Sequence, residues 1–585
     1  MIKIIIQQQI RFFLLIILFV ITPLYTYPNI GGLGLSMPFN IASWIAASAF
    51  IAYILIASIR SKTISYSPLF LYCLIFPITI MLAGALSEVS EPIVWLFRQL
   101  FILGGILFLL ALFQFRWTQL QVEKILYYSV FAMSLHVMVG LIQVFDVAIV
   151  QNKIPLSGRG QPPFGIFQQV NLLATYLVTG TLIILFLISR PSFSSTRLIT
   201  KLLMAIVFGV ALYVILSTGS RIGLLSLLIG GSIMLISRRK QLSRQKFMFI
   251  LLVISSSLGV IASTTDVLKS PTRELHGQSG IELVTKKVEK LAGGKYQSFR
   301  QSMYAISIEI ILQKPLLGHG IGSFPRVWAE QKAKFTQQNP NAVVSHLTTG
   351  HPHNEVLLWL IEGGIVAALG LAIIVIVIGI SLYSCGFSRG GAYLALLVPI
   401  SLHTQVALPF YGSAVHWFLW LFIIFMLFRH RLEIISFKMS QSGQYLVQLS
   451  LVLITVVSIY FLMHTKQAHD HIFMYLDDQE IRANSNMQLA LDNIYFSRYA
   501  EKLMMHRMLN ISIHRNNKKF VPTFIIWAEE RIKSNPELGM FLLLSYAYNF
   551  MGDFENSCRV ANNGLPIYPG NKDLQIMVAS CQREN

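Results

Sequence analysis

Charged side chains are scarce in this 585-residue chain. Only 12% of the residues are Asp, Glu, Lys or Arg, whereas 54% are hydrophobic. A soluble globular domain typically has about 25% charged residues. The low charge and the mean hydropathy of +0.62 therefore exclude an ordinary soluble protein and predict a polytopic membrane protein.

Cysteines and acidic residues are also few. The four cysteines are too few for a disulfide scaffold in a chain of this length. The 26 acidic residues are outnumbered by 46 Lys and Arg, for a formal charge of +20. Much of this charge lies in short connections between apolar runs, so it indicates orientation in a bilayer before it indicates nucleic acid.

About thirteen apolar runs are long enough to cross roughly 30 Å of hydrocarbon. They lie near residues 11–27, 40–59, 67–86, 99–115, 125–145, 171–189, 202–217, 222–237, 247–263, 356–382, 392–407, 414–428 and 445–463. Basic residues cluster in alternate connections. If Lys3 and Arg11 hold the N-terminus in the cytoplasm, thirteen spans leave the C-terminus outside.

The predicted fold is all-α, with four parts along the chain. Residues 1–263 form a bundle of about nine transmembrane helices, 264–355 a large outer loop, 356–463 about four further helices, and 464–585 an outer helical domain. A stretch from Tyr546 to Pro569 is similar to one helix-turn-helix of a tetratricopeptide repeat.

Two of the cysteines share the polar C-terminal region. Outside the cytoplasm, Cys558 and Cys581 would close a loop of roughly 24 residues in an oxidising compartment. We expect a disulfide between them. Two buried free thiols are the alternative, because the pairing distance cannot be read from sequence.

The segment 349–355 reads Thr-Gly-His-Pro-His-Asn-Glu and precedes an apolar helix. Two imidazoles, an amide and a carboxylate are costly beside a membrane unless they are hydrated or paired, which indicates a function. Pro352 is expected to keep His351 and His353 on extended backbone. The structural alternative is a helix N-terminus in which Asn354 caps and the helix dipole favours Glu355.

Other polar side chains fall on the same outer face. They are Arg159, Gln169, Asn171, Arg221, Arg300, His319 and Tyr411. Arg221 lies in a short connection on the outer face, where the positive-inside rule predicts few basic residues. We therefore expect it to neutralise an anion. The alternative is that its long side chain only snorkels to the membrane surface. The amides can bind sugar hydroxyls or cap a helix.

Two kinds of site are not supported. Gly318, Gly320 and Gly322 predict a turn with a close backbone approach, but they follow no strand of a βαβ unit, so a dinucleotide site is rejected. His464, His469, Asp470 and His471 have no usual metal-ligand spacing and are expected to mark a solvated helix start. No Asp-x-Asp pair occurs, which argues against a metal-dependent nucleotide-sugar transferase.

The candidate residues suit a lipid-borne pyrophosphate sugar. Arginines bind phosphate, amides bind hydroxyls, and a histidine can take a proton near neutral pH. Arginines can also replace a metal in stabilising the departing pyrophosphate.

Five motifs, in this order and spacing, resemble the O-antigen ligase and polymerase superfamily, and more closely its protein-glycosylating branch, the PglL-type bacterial O-oligosaccharyltransferases. They are Gly165 to Asn171, Ser220-Arg221, Pro315 to Phe324, His351 to Glu355, and Glu362-Gly363-Gly364. The resemblance implies that His353 is the essential histidine, and that Gln169 is the family's glutamine two residues before the asparagine, here Asn171. It places the arginines of the outer turn and loop at Arg221 and Arg300.

The resemblance implies a bacterial inner-membrane enzyme whose loop, C-terminal domain and active site are periplasmic. It would move a glycan from an undecaprenyl-pyrophosphate donor to Ser or Thr of an exported protein such as a pilin. The donor glycan, the acceptor protein and membrane lipid are the expected partners. Cofactors, a metal and nucleic acid are not expected.

The chain departs from the family at one position. Family members often have a glutamate shortly before the proline of the segment that holds Tyr411, whereas this chain reads Gln405-Val406-Ala407-Leu408-Pro409. The acid is either dispensable here or replaced by Glu355.

Two other functions remain open. An O-antigen ligase or polymerase would use the same donor with a sugar acceptor. A lipid-linked glycan flippase would need polar residues along a path through the bundle, and the outward bias of the polar residues speaks against it.

Overall fold

The computed structural model describes residues 2–115, 117–145, 162–264, 298–345, 348–477 and 487–584. The chain forms two compact units, each built from separated stretches of sequence. The first contains residues 1–75, 101–287 and 373–482, and the second contains residues 76–100, 288–372 and 483–585.

The described residues are mostly α-helical. Up to residue 264 the helices are α1 (Ile2–Ile16), α2 (Pro38–Ser61), α3 (Pro68–Cys73), α4 (Ile75–Leu86), α5 (Pro92–Phe113), α6 (Gln119–Val144), α7 (Val170–Ile188), α8 (Leu198–Ser217), α9 (Arg221–Ser237), α10 (Arg239–Leu242) and α11 (Lys246–Thr264). A π-helical turn, Ile17–Ile21, and a 3₁₀ turn, Thr22–Leu24, continue α1.

The later helices include both long apolar and short polar ones. They are α12 (Phe299–Gln313), α13 (Phe324–Gln338), α14 (Glu355–Ser384), α15 (Phe387–His403), α16 (Pro409–Gly412), α17 (Ala414–Phe428), α18 (Gln441–Asp477), α19 (Gln488–Leu491), α20 (Ser497–His514), α21 (Val521–Ser534), α22 (Leu538–Met551), α23 (Phe554–Gly564) and α24 (Lys572–Glu584).

Among the described residues, nine helices are long and apolar enough to cross a membrane. They are α2, α3 continued by α4, α5, α6, α7, α8, α11, α14 and α18. The other four predicted runs lie on shorter helices, namely α1 with its continuation, α9, α15 and α17. The protein is therefore an all-α multi-pass membrane protein, and the count of thirteen spans stays a prediction.

A two-stranded antiparallel sheet is a small departure from the all-α class. Strand β1 (Thr63–Tyr66) follows α2, and β2 (Glu433–Ser436) follows α17. Thr63 pairs with Ser436, and Tyr66 pairs with Glu433. The tyrosine hydroxyl of that last pair donates to the Glu433 carboxylate at 2.8 Å. The sheet joins two connections of the first unit that are far apart in sequence.

Helix α7 is the most enclosed span of the first unit. In its apolar window 94% of the residues are buried, and it packs against α6, α8, α9 and α15. A helix that is apolar all round must be surrounded by others. The polar residues at its start, Gln168, Gln169 and Asn171, are therefore held against a rigid core.

Helix α18 continues to Asp477, beyond the predicted end of the run at residue 463. His464 to His471 thus lie inside a helix, and His469 is fully buried. Its ring packs against Tyr27 at 5.8 Å between centroids. The expectation of a solvated helix start is wrong, because the helix buries one face of this segment.

Helices α20 to α24 belong to the second unit and contact one another in chain order. Their apolar core includes Leu509, Phe524 and Leu544. Helix α22 ends at Gly552, which has a φ of +88°, and Asp553 caps α23 through the Asn556 N–H at 3.1 Å. The stretch from Tyr546 onward is thus helix, turn and helix, while its tetratricopeptide character stays a prediction.

Cys558 on α23 and Cys581 on α24 form a disulfide, with Cα atoms 5.7 Å apart. The predicted pairing is confirmed. The free thiols in the described residues are Cys73 and Cys385.

Replacing both disulfide cysteines by serine should loosen the C-terminal helices. A loop of this length contributes about 3 kcal/mol in chain-entropy terms, which is on the order of a 100-fold change in the open population. We expect faster cleavage of this region in limited proteolysis of the purified protein. Cys385→Ser, which removes a free thiol, is the control. Equal cleavage of the double variant and the wild type would contradict the stabilising role.

Candidate active site

The predicted histidine segment lies immediately before α14, in the second unit. The Asn354 side chain accepts the Leu357 backbone N–H at 3.0 Å, and its carbonyl accepts from Leu358 at 3.1 Å. Asn354 is therefore a helix cap, as the structural alternative proposed. This role leaves both imidazoles available for another purpose.

His353 has a φ of +50°, so the prediction of extended backbone is wrong at this residue. The His353 backbone N–H donates to Nδ1 of His351 at 3.2 Å, across Pro352. This bond closes a tight turn and requires Nδ1 of His351 to be unprotonated. Positive φ costs a non-glycine residue of order 1 kcal/mol or more, and such strain concentrates at functional sites.

Both imidazoles are held in their neutral form. Burial lowers the pKa of His351 to about 3, and electrostatic interactions with His353 and Arg98 lower it in the same direction. Burial is also the main cause that lowers the pKa of His353, and the positive charge of Arg300 is the second cause. The rings of His351 and His353 lie 4.3 Å apart, and Phe299 presents its ring to His353 at 6.2 Å. At neutral pH, His353 can therefore accept a proton beside a fixed positive charge.

Glu355 is buried at the first turn of α14. Its Oε1 accepts from the Trp359 indole at 3.4 Å, and Oε2 has no hydrogen-bond partner among the described residues. Trp359 packs edge-on against Phe76 at 5.5 Å, and the Arg98 guanidinium lies 5.7 Å from the indole centroid. Glu355 thus lies behind the histidines with one oxygen unsatisfied.

Arg98 forms an ion pair with Glu362, about two helical turns beyond Glu355 in α14. The two side chains are only 14% and 1% exposed. Glu362 also accepts the Phe324 backbone N–H at 3.3 Å. Sequence reasoning missed Arg98, although an arginine in the first turns of an apolar span is a recognised signal of function.

The predicted glycine turn is confirmed. Gly318, Gly320 and Gly322 all have positive φ. A Cβ on Gly320 would lie 1.9 Å from the Glu88 carbonyl oxygen, and one on Gly318 would lie 2.6 Å from the Glu362 carbonyl carbon. The backbone approach is too close for any side chain.

His319 lies in this turn, half-buried. Its backbone N–H donates to the Ile361 carbonyl at 2.8 Å, and its Nε2 lies 2.9 Å from the Ile310 carbonyl. Burial lowers the pKa of His319. These contacts brace the turn against α14, and its predicted contact with substrate stays a prediction.

C-terminal helices contact the segment just before the histidines. The Tyr568 hydroxyl lies 3.1 Å from Oγ1 of Thr348 and donates to the Pro536 carbonyl at 2.8 Å. Thr348 also accepts the Leu538 N–H at 3.4 Å. Lys332, 1% exposed, places its ammonium 4.5 Å from the Tyr568 ring centroid, and burial lowers its pKa to about 8. Sequence reasoning did not find these residues, because they carry no local motif.

The first unit contains a second cluster, at the start of α7 and α9. Ser220 caps α9 and donates its hydroxyl to the Asn171 side chain at 2.8 Å. Arg221 is the first residue of α9. The contact brings Asn171 and Arg221 together, although they are far apart in sequence, and shows that Asn171 is not simply a cap of its own helix.

Gln169 is the N-cap residue of α7, but its side chain makes no capping bond. The Gln169 Oε1 atom lies close to Gly412, because a Cβ added to that glycine would be 3.7 Å away from it. Tyr411 is the residue directly before Gly412. The Tyr411 carbonyl accepts from Asn40 at 3.3 Å. The first unit therefore gathers Gln169, Asn171, Arg221 and the Tyr411 segment around the ends of α7 and α9.

Gln168, beside Gln169, has a structural role. Its φ is +54°. Its Oε1 accepts from the Asn29 side chain at 2.6 Å, and its Nε2 donates to the Tyr27 carbonyl at 2.8 Å. These bonds hold the turn that presents the next residue, Gln169.

The predicted residues are thus divided between the units. His351, His353, Glu355, Arg300 and His319 lie in the second, and Gln169, Asn171, Arg221 and Tyr411 in the first. Arg159 lies outside the described residues. Across the described ranges, three or more His, Cys, Asp or Glu side chains nowhere group as metal ligands would.

Three protein-family profiles match the chain. The family described as O-Antigen ligase matches residues 204–372, which include Arg221, Arg300 and the histidine segment. The family described as Virulence factor membrane-bound polymerase, C-terminal, matches residues 392–581. The family described as Protein glycosylation ligase matches residues 163–187, the turn and helix that hold Gln169 and Asn171.

Together the three matches support the O-antigen ligase superfamily that the motifs indicated. Curated protein sequences show no significant match to the chain. Matches to ligase families imply a glycosyl-transferring enzyme. Ligases of these families act on lipid-linked glycans and on protein or sugar acceptors. A relation to the protein glycosylation ligases, inferred above from motifs, is supported by the match at α7.

Arg98→Ala should destabilise the protein strongly, because it leaves the Glu362 carboxylate buried without its cation. Removing one partner of a buried pair typically costs about 3 to 5 kcal/mol. We expect a clear fall in the thermal stability of the detergent-solubilised protein, and partial recovery when Arg98→Ala is combined with Glu362→Gln.

The matched control is Arg326→Ala. Arg326 pairs with Glu330 at 3.4 Å, but the two side chains are 33% and 57% exposed, and such pairs contribute about 0 to 1 kcal/mol. Equal losses of thermal stability in Arg98→Ala and Arg326→Ala would show that the buried pair stabilises the protein no more than the exposed pair does.

Proposed function

We propose that the protein is an O-linked oligosaccharyltransferase that moves glycan from undecaprenyl pyrophosphate to Ser or Thr of exported proteins such as pilin. The observation that carries the proposal is the neutral, strained His353 beside Arg300, at the start of a membrane helix. A neutral imidazole can accept the hydroxyl proton of an acceptor, and a nearby arginine can attract the anionic pyrophosphate.

In the proposed reaction the acceptor oxygen attacks the anomeric carbon while His353 takes its proton. The bond from the anomeric carbon to the pyrophosphate oxygen breaks, and its electron pair leaves with the pyrophosphate. Arg221 and Arg300 would bind that group, since guanidinium matches phosphate oxygens in pairs. A metal is not required by this scheme.

Other predicted residues would orient the substrates. Gln169, Asn171 and Tyr411 offer hydroxyl and amide groups for sugar, and Arg159 and His319 would contact the donor. His351 would assist by holding the His353 backbone through Nδ1. Glu355 is the acid available behind the histidines and could take the role of the glutamate missing before Pro409.

The proposed setting is the bacterial inner membrane. The N-terminus would be cytoplasmic, and the loop, the active site and the C-terminal helices periplasmic, as the charge distribution predicts. A disulfide between Cys558 and Cys581 suits an oxidising compartment.

An O-antigen ligase or polymerase is the second candidate. It is favoured by the matches to the O-Antigen ligase family and to the C-terminal part of a virulence polymerase family. Deleting the gene separates the two candidates, because one predicts a change in pilin mass and the other a change in lipopolysaccharide banding.

His353→Ala should abolish glycan transfer without lowering the amount of protein. Loss of a positioned base typically costs about 10² to 10⁴-fold in rate, and His351→Ala should cost less. The assay is transfer by purified enzyme from lipid-linked donor to acceptor protein. Wild-type activity in His353→Ala would refute the assignment.

The pH profile follows from the same residue. Because the His353 pKa is lowered from its ordinary value of 6.5, the proton-free form persists below that pH. Activity should stay level on acidification to about pH 6.5 and decline only at lower pH. A decline that begins well above pH 7 would contradict a neutral, buried base.

Arg221→Lys keeps the charge but loses the two-pronged grip on phosphate, so it should remain partly active, whereas Arg221→Ala should be inactive. Transfer should also survive chelators. The rates of glycan transfer by the wild type and both variants, each measured with and without EDTA, test these two expectations. Loss of activity in EDTA and rescue by magnesium or manganese would refute the arginine scheme.

A further inference from the structure

The second unit contains a cavity of about 380 Å³ that is lined by both charged and apolar side chains. Its lining includes residues at the start of α5, Gly322 and Pro325, and residues of α20 and α21 together with Asn535 and Glu537. Cavities of roughly 300 to 1,000 Å³ are typical of small-molecule sites. Gly350, directly before His351, also lines it, so the cavity adjoins the histidine segment.

The charges that line this cavity are paired with one another. Of the described residues that line it, four are basic and three acidic. Arg498 and Arg531 both contact Glu91, the latter at 3.6 Å, and Lys502 pairs with Glu537. The remaining pair is the Arg98–Glu362 bridge described above.

Paired charges favour a neutral ligand that is rich in hydroxyl groups. A guanidinium has five N–H donors and a carboxylate about four acceptor positions, so a pair still offers donors and acceptors side by side. A sugar hydroxyl donates and accepts at one atom, which matches that lining. A peptide backbone instead offers one donor and one acceptor per residue, on different atoms.

The rest of the lining suits the apolar face of a sugar ring. Tyr495 and Tyr499, from the C-terminal part of the chain, line the cavity, and Ile93, Val94 and Ile494 add aliphatic surface. Tyrosine combines an apolar ring with a polar end. The cavity thus combines ring faces with paired charges.

We infer that this cavity is a saccharide subsite that holds sugar residues of the donor glycan beside the histidine segment. The inference rests on the proposed function, because it assumes a glycan donor. It gives the C-terminal helices a direct part in recognising the glycan, through Arg498, Lys502 and Arg531.

Val94→Trp tests the subsite by filling the cavity. Leu96→Trp is the matched control, because Leu96 lies two residues away on α5, does not line the cavity, and is 40% exposed against 38% for Val94. Both variants insert the same indole at the same helix start, so differences in folding between them should be small.

The probe is the oligosaccharide released by mild acid from the lipid-linked donor pool of the cell that makes this protein. Its binding to the full-length purified protein is measured by saturation-transfer NMR and titration. We expect wild type and Leu96→Trp to bind equally and Val94→Trp to bind at least tenfold more weakly. Equal binding by Val94→Trp and wild type would overturn the subsite.

A synthetic acceptor peptide is titrated in parallel. If Val94→Trp weakens peptide binding and leaves glycan binding intact, the occupant is the acceptor and the saccharide assignment is wrong. The proposed function has a separate readout, transfer to protein by the wild type. Glycan binding that depends on Val94, without any such transfer, would uphold the subsite and refute the protein acceptor.

Discussion

The Glu362 carboxylate is the polar group on which the second unit most depends. It lies fully buried inside a helix of membrane-spanning length, where an unpaired charge would be very costly. Arg98 neutralises it, the Phe324 N–H donates to it, and its backbone carbonyl accepts from Gly320 at 3.0 Å. One residue thereby joins α5, the glycine turn and α14. His353 is attached directly to the start of that helix.

Backbone strain occurs at both candidate clusters. Among the described residues, the non-glycine residues with positive φ include His353 and Gln168. Each is held by specific hydrogen bonds, His353 by the His351 ring and Gln168 by the Asn29 and Tyr27 contacts. Strain of this kind persists only where surrounding contacts impose it. In both cases it fixes the direction of a polar residue that the chemistry would use.

The C-terminal helices share a compact unit with the histidine segment. A division by sequence places residues 264–355 and 464–585 in different domains. In the structure, Tyr568 contacts Thr348, and Arg531 contacts Glu91. These contacts give the tail a means of positioning the segment before His351, which hydropathy could not reveal because they link polar residues distant in sequence.

The sequence by itself determined the membrane character and the helix under each apolar run, and it predicted the cysteine pairing, because hydrophobic length and loop length are local properties of a chain. It also marked the segment that holds His353. Only the tertiary structure decided that Arg98 pairs with Glu362, that Asn171 bonds Ser220, and that His353 adopts positive φ. These features depend on contacts between residues far apart in sequence and on burial, which set the cost of each charge and the direction of each side chain.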